Sequence, residues 1–332
     1  MIKNRKEPGH SPGFFSFSML RTKHICYLSC LVAMILTHCS GRHKMSEVKE
    51  PSVKKDNSFE RGKNLVFNIC GQCHYDQRTQ KFTGKRMDDL PGFMGKVYSA
   101  NITATKNGIL SRYTDSQLAW LLKTQTAYDG RCVPWMPRPN LADDDLNDII
   151  IYLRSGDAPV SASDLSAGKT RMNVFGKMAM HFSCKPLPYK IKVKRPDEES
   201  MVDYGRYLVD NLACYHCHSK SIVSLDYMTP ENSKGYMQGG MEFEDPYGNK
   251  VYSANLTPDK QTGIGMFTTQ EFRNLLKEGK FPTGDTLHLP MQKFPYLTDK
   301  QADAIYLYLQ TLPPKNHEIK RNFKKKPVTA KK

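Results

Sequence analysis

The sequence of 332 residues has no apolar run approaching the ~20 residues that a helix needs to cross a bilayer. It has no excess of glycine or proline, 22 and 20, which excludes collagen-like and low-complexity classes. Nor is it poor in apolar residues: 39% apolar against 25% charged excludes a wholly disordered chain. No motif for a flavin or quinone cofactor is visible, which argues against substrate oxidation by this chain alone. Acidic residues are the scarce charge, 33 against 49 Lys and Arg, giving a net charge of +16. That excess lies mostly at the ends. Residues 1–38 carry +4 and residues 313–332 carry +7, leaving +5 for the body. Nucleic-acid binding is therefore not expected. The length corresponds to about two domains of ~150 residues.

Four of the nine cysteines lie in two Cys-x-x-Cys-His strings, Cys70-Gly71-Gln72-Cys73-His74 and Cys214-Tyr215-His216-Cys217-His218. This is the attachment pattern of c-type haem. Two thiols add across the two vinyl groups of one porphyrin, and the adjacent histidine is thereby held beneath the iron. A structural zinc site would want its cysteine pairs ~15–20 residues apart, whereas these begin 144 apart. A thioredoxin-like pair needs no histidine after its second cysteine, and both pairs here have one. His218, rather than His216, follows the second cysteine and takes the ligand role.

Arg21 and Lys23 precede an apolar stretch from Ile25 to Leu36, which fits a secretory signal and is too short for a span. Met19 is the expected start. The string Leu36-Thr37-His38-Cys39-Ser40 resembles a bacterial lipoprotein box with Cys39 as the acylated residue, although His38 replaces the usual small residue; plain cleavage is the alternative. The expected organisation is a signal sequence (1–38), a flexible tether (39–57), a first helical unit (58–155), a linker (156–200), a second unit (201–313) and a disordered basic tail (314–332).

The two units follow from an internal repeat. Lys96-Val-Tyr-Ser-Ala-Asn101-Ile-Thr103 is echoed by Lys250-Val-Tyr-Ser-Ala-Asn255-Leu-Thr257, identical at seven of eight positions. Upstream, Arg61-Gly62-Lys63 parallels Tyr204-Gly205-Arg206. Downstream, the stretch from Thr114 to Lys123 parallels that from Thr268 to Lys277. Each unit reads as helical. Phe59, Gly62, Val66 and Ile69 form one stripe running into Cys70, and Ala302, Ile305, Leu309 and Leu312 form another. Thr114 with Gln117, Thr268 with Glu271 and Thr298 with Gln301 have the form of capping boxes. Gly62 and Gly205 sit inside helical patterns at a cost of ~1 kcal/mol each relative to alanine. A close crossing of first and last helices would explain them.

The repeat also selects candidates for a sixth iron ligand among 16 methionines. Met136 follows Tyr98 by 38 residues and Met291 follows Tyr252 by 39, both in proline-containing stretches before the closing helix. His288 and Cys132 are the rivals. Met228, Met237 and Met241 fall in a longer stretch read as unique to the second unit.

The order of helix, Cys-x-x-Cys-His, middle helix, axial methionine and closing helix resembles class I cytochrome c. The Tyr-Ser-Ala-Asn-Leu-Thr-Pro string from Tyr252, the following Thr-Gly-Ile-Gly and the Pro-Met loop look like the multi-haem cytochrome subunits of bacterial membrane-bound alcohol and gluconate dehydrogenases. The resemblance covers roughly residues 57–313. Those subunits commonly carry three haem units, against two motifs here, and the first unit lacks the Thr-Gly-Ile-Gly. The resemblance implies an all-α fold of two tandem cytochrome c-like domains with one covalent haem each, attached at Cys70 and Cys73 and at Cys214 and Cys217. The irons would be ligated by His74 with Met136 and by His218 with Met291. It implies an electron carrier on the periplasmic side, with a dehydrogenase as partner and a terminal oxidase or another cytochrome as acceptor. The alternative is a di-haem cytochrome c peroxidase, which needs one iron with a labile sixth position. With the signal, haem and Cys39 cysteines set aside, Cys132 and Cys184 remain and suggest a disulfide in an oxidising compartment, independent buried thiols being the alternative.

Overall fold

The computed structural model describes residues 57–319, apart from 88–89, 91–93, 107 and 246–248. The expected signal sequence, Cys39, the tether to Asp56 and the basic tail beyond Ile319 lie outside the described residues.

The described chain is mostly helical with four short strands. Helix α1 (Ser58–Leu65) continues through a π-helical turn (Val66–Cys70) into the short α2 (Gly71–His74). Strand β1 (Gly95–Lys96), α3 (Asp115–Thr124) and α4 (Asp143–Arg154) complete the first half. β2 (Arg171–Met172) and α5 (Val174–Ser183) lie in the connecting segment. The second half holds α6 (Met201–Asn211), α7 (Cys214–His218), a hairpin of β3 (Glu242–Glu244) and β4 (Lys250–Tyr252), α8 (Thr269–Glu278) and α9 (Asp299–Gln310).

The helix starts expected at Thr114, Thr268 and Thr298 are all present as reciprocal capping boxes. At the first, Gln117 N donates to Thr114 Oγ1 at 3.2 Å while Thr114 N donates to Gln117 Oε1 at 2.9 Å, satisfying two otherwise orphaned donors. The closing stripe is buried at Ala302, Ile305 and Leu309. The opening stripe is buried at Val66, but Phe59 lies at the edge, 37% exposed, with its ring against Tyr152.

Gly62 and Gly205 mark two helix crossings at backbone contact. A Cβ on Gly62 would stand 2.1 Å from Asp148 O, and one on Gly205 would stand 1.9 Å from Ala304 O. No side chain fits there, so α1 packs directly on α4 and α6 on α9.

The connecting segment, read from the sequence as a linker, is firmly built into the fold. β2 pairs antiparallel with β1, Gly95 opposite Met172. Leu187 N donates to Thr124 O, Asp143 N donates to Val193 O, and Tyr189 stacks on Trp120 at 5.4 Å. Cys184 forms a disulfide with Cys132, with Cα atoms 6.0 Å apart. That bond removes Cys132 from the candidate iron ligands.

Candidate haem-attachment sites

Both Cys-x-x-Cys-His strings fold as helical turns, which puts each cysteine pair on one face, three residues apart. Burial pushes the Cys70 and Cys214 thiols up to about 12, against the opposing pull of the Arg138 charge on both. His74 and His218 are also buried, and burial lowers both imidazole pKa values, keeping the rings neutral.

The repeated string of each half orients its histidine. His74 Nδ1 lies 2.8 Å from Ala100 O, and His218 Nδ1 lies 2.7 Å from Ala254 O. A carbonyl only accepts, so Nδ1 carries the proton and Nε2 keeps the lone pair that a metal requires. His216 has no such anchor; its ring packs edge-on to Tyr215 and Tyr227 at 4.6 and 5.1 Å. A paired thiol turn beside a buried neutral imidazole of fixed tautomer fits a covalent haem at each string.

The rest of the repeated string clamps its surroundings. Asn101 Oδ1 accepts from Thr103 N and Oγ1, while its Nδ2 donates to Ser163 O and Leu165 O. Asn255 accepts from Thr257 in the same way and donates to Lys315 O at 2.8 Å. The tail expected to be disordered over 314–332 is therefore held at its start, where His317 N also donates to Thr262 Oγ1. Gly84 and Gly239, both at positive φ, donate from N to His74 O and His218 O. Their absent Cβ atoms would collide with Ser99 O and Ala254 O.

Backbone bonds also register the two halves. Ile102 N donates to Phe82 O and Leu256 N to Met237 O; Ser99 N donates to Lys85 O and Ser253 N to Met241 O. Met237 and Met241 thus occupy the places of Phe82 and Lys85, and are not part of a stretch unique to the second half. Most of the added length lies between His218 and Met237. Gly108-Ile109 likewise stands where Gly263-Ile264 stands, each just ahead of or within a 3-10 turn.

Met136 and Met291 lie in loops fixed at matching points. Val133 N donates to Gln125 O and Arg138 N to Leu122 O; Leu287 N donates to Gly279 O and Phe294 N to Leu276 O. Both methionines are partly buried against the core. His288 lies in the same loop as Met291.

Each methionine loop also reaches the other half, at or shortly before its attachment string. Arg138 Nε donates to Asn211 O at 2.7 Å, just before Cys214. Gln292 Nε2 donates to Gln72 O at 3.2 Å, between Cys70 and Cys73, and Gln292 Oε1 accepts from Lys85 Nζ at 3.1 Å. Beside them Phe67 stacks on Tyr296 at 4.0 Å. Tyr207 donates to the buried Asp145 at 2.6 Å, with Arg61 and Arg195 on its other side. Burial is the main cause of a raised Asp145 pKa. These contacts had no sequence signal, because single polar residues far apart in the chain carry no periodicity.

No family model matches the chain. Three relatives place it in context. It is 28% identical over 281 residues to the fructose dehydrogenase cytochrome subunit of Gluconobacter japonicus, covering 78% of this chain and 53% of that protein. It is 26% identical over 263 residues to the cytochrome c subunit of the quinone alcohol dehydrogenase of Gluconacetobacter polyoxogenes, covering 74% and 53%. It is 32% identical over 114 residues to the gluconate 2-dehydrogenase cytochrome c subunit of Pantoea cypripedii, covering 33% and 23%. These relatives are cytochrome subunits of dehydrogenases, the second and third of them cytochrome c subunits. The chain spans about half the length of the first and second of them.

Proposed function

We propose that this chain is a di-haem c-type cytochrome with two tandem cytochrome c-like domains, which passes single electrons from a dehydrogenase to a respiratory acceptor. Its haems are attached at Cys70 and Cys73 and at Cys214 and Cys217, with His74 and Met136 on one iron and His218 and Met291 on the other. The protein works on the periplasmic side of a bacterial membrane, held there by acylated Cys39, and its acceptor is a terminal oxidase or another cytochrome.

The matched pair of histidine-to-carbonyl bonds, from His74 to Ala100 and from His218 to Ala254, carries the reading. Each fixes the imidazole with its lone pair directed away from the backbone. Haem bound at each string supplies a one-electron ferric/ferrous couple, and methionine ligation raises its potential relative to a bis-histidine site. Arg138 ties the first methionine loop to the end of the helix before Cys214, and Gln292 ties the second to the Cys70–Cys73 turn, so the two sites stay in fixed relation while an electron crosses between them.

Spectroelectrochemical titration of the purified holoprotein under carbon monoxide tests this. Two one-electron steps with low-spin spectra, unaltered by carbon monoxide, are expected. A ferrous haem that binds carbon monoxide readily, together with peroxide turnover from the half-reduced form, would instead mark a peroxidase.

A further inference from the structure

In the connecting segment, α5 presents an apolar face to solvent. Val174 is 69% exposed, Phe175 73%, Met178 52% and Phe182 64%. At 100° per residue these four positions fall within an arc of about 100°. Gly176 is on the far side, where a Cβ would stand 2.8 Å from Met94 O. The helix is fastened at both ends, by the β1–β2 pair before it and by the Cys132–Cys184 disulfide after it. A helix fixed this way cannot turn its phenylalanines inward. Around it, residues 165–194 contain no aspartate or glutamate. Lys169, Arg171, Lys177, Lys185, Lys192 and Lys194 are all exposed there. Leu165 and Ile191 add further exposed apolar side chains.

An apolar helical face whose own segment, residues 165–194, carries only positive charge fits the interface of an anionic bilayer, where phenylalanine and methionine enter the acyl boundary and lysine meets phosphate. Protein–protein interfaces, by contrast, are depleted in lysine relative to the rest of the surface. We infer that α5 lies flat on an anionic phospholipid surface and acts as a second membrane contact, independent of Cys39. The helix, ~15 Å long, inserts its Val174, Phe175, Met178 and Phe182 edge, while Lys177 and Lys185 engage lipid phosphates. It would thereby set which face of the molecule looks away from the membrane.

The test uses full-length holoprotein carrying Cys39→Ser, so that no acyl chain contributes, sedimented with phosphatidylglycerol or phosphatidylcholine vesicles at low and high salt. The basic tail is present in every variant and cancels in comparisons. Phe175→Ser with Phe182→Ser should weaken binding to phosphatidylglycerol vesicles about tenfold or more at both salts. Lys177→Gln with Lys185→Gln should weaken it at low salt only. Phosphatidylcholine should bind the parent protein more weakly than phosphatidylglycerol. Haem absorbance and non-reducing peptide mapping of Cys132–Cys184 confirm that the variants fold. Unchanged binding by the phenylalanine variant overturns the inference. So does a parent protein that ignores vesicles while the same variant loses its dehydrogenase partner, which would make α5 a protein-docking face.

Discussion

Met136 and Met291 owe their candidacy to backbone bonds on either side of each loop, the same pair of anchors in both halves. If each gives its sulfur to iron, the oxidised protein shows the weak near-infrared absorption of thioether-to-ferric charge transfer. Met136→Ala or Met291→Ala should then remove about half of it, since each is one of two such ligands. Met→His at either position should restore six-coordination and lower that site's potential, each ~59 mV shifting a one-electron equilibrium tenfold. Met241→Ala, in the place of Lys85, should leave the band intact; loss of the band there would contradict the assignment. Asp210 gives a pH prediction. Burial pushes its carboxyl up to about 6 from an ordinary 3.8, against a hydrogen bond from Asn140 Nδ2. The folded state therefore keeps a proton that the unfolded chain loses, and stability falls as pH rises from 3.8 through about 6, then levels. Asp210→Asn should abolish that slope, at most ~1.4 kcal/mol per pH unit. Parallel stability profiles for the two proteins in denaturant melts would count against it.

The α1–α4 and α6–α9 crossings depend on Gly62 and Gly205, because the nearest atom to each missing Cβ is a backbone carbonyl rather than a movable side chain. Gly62→Ala and Gly205→Ala should each cost about 3 kcal/mol by forcing helices apart, although alanine is the better helix former. Calorimetry that finds either variant as stable as the parent would show the crossings to be looser than described. At this scale the sequence was most legible. Threonine and its partner three residues on identify a capping box locally, and a glycine within an apolar stripe identifies a close crossing. The asparagine clamps were not legible, because Asn101 and Asn255 bond to carbonyls about 60 residues away that no periodicity announces. Nor was the true register of Met237 and Met241, since the added length was assigned to them when it lies before them.

Across the whole molecule the connecting segment acts as a structural part. The Cys132–Cys184 bond ties it to the first methionine loop, and reducing it should loosen α5 and the loop holding Met136 together. Hydrogen exchange should rise at both after reduction; a rise at neither would leave the bond without that role. The pairing of Cys132 with Cys184 could be read from counting cysteines. The contacts between halves through Arg138, Gln292, Tyr207 and Asp145 could not, because tertiary geometry alone brings such distant residues together. The central claim is two covalent haems, one per half, and intact-mass measurement of denatured, exported holoprotein tests it most directly. Beyond any acyl groups on Cys39, the expected mass exceeds the polypeptide by two haems, by one in Cys70→Ala with Cys73→Ala, and by one in Cys214→Ala with Cys217→Ala. A parent protein carrying one haem or none, or a double variant that still carries two, would contradict it.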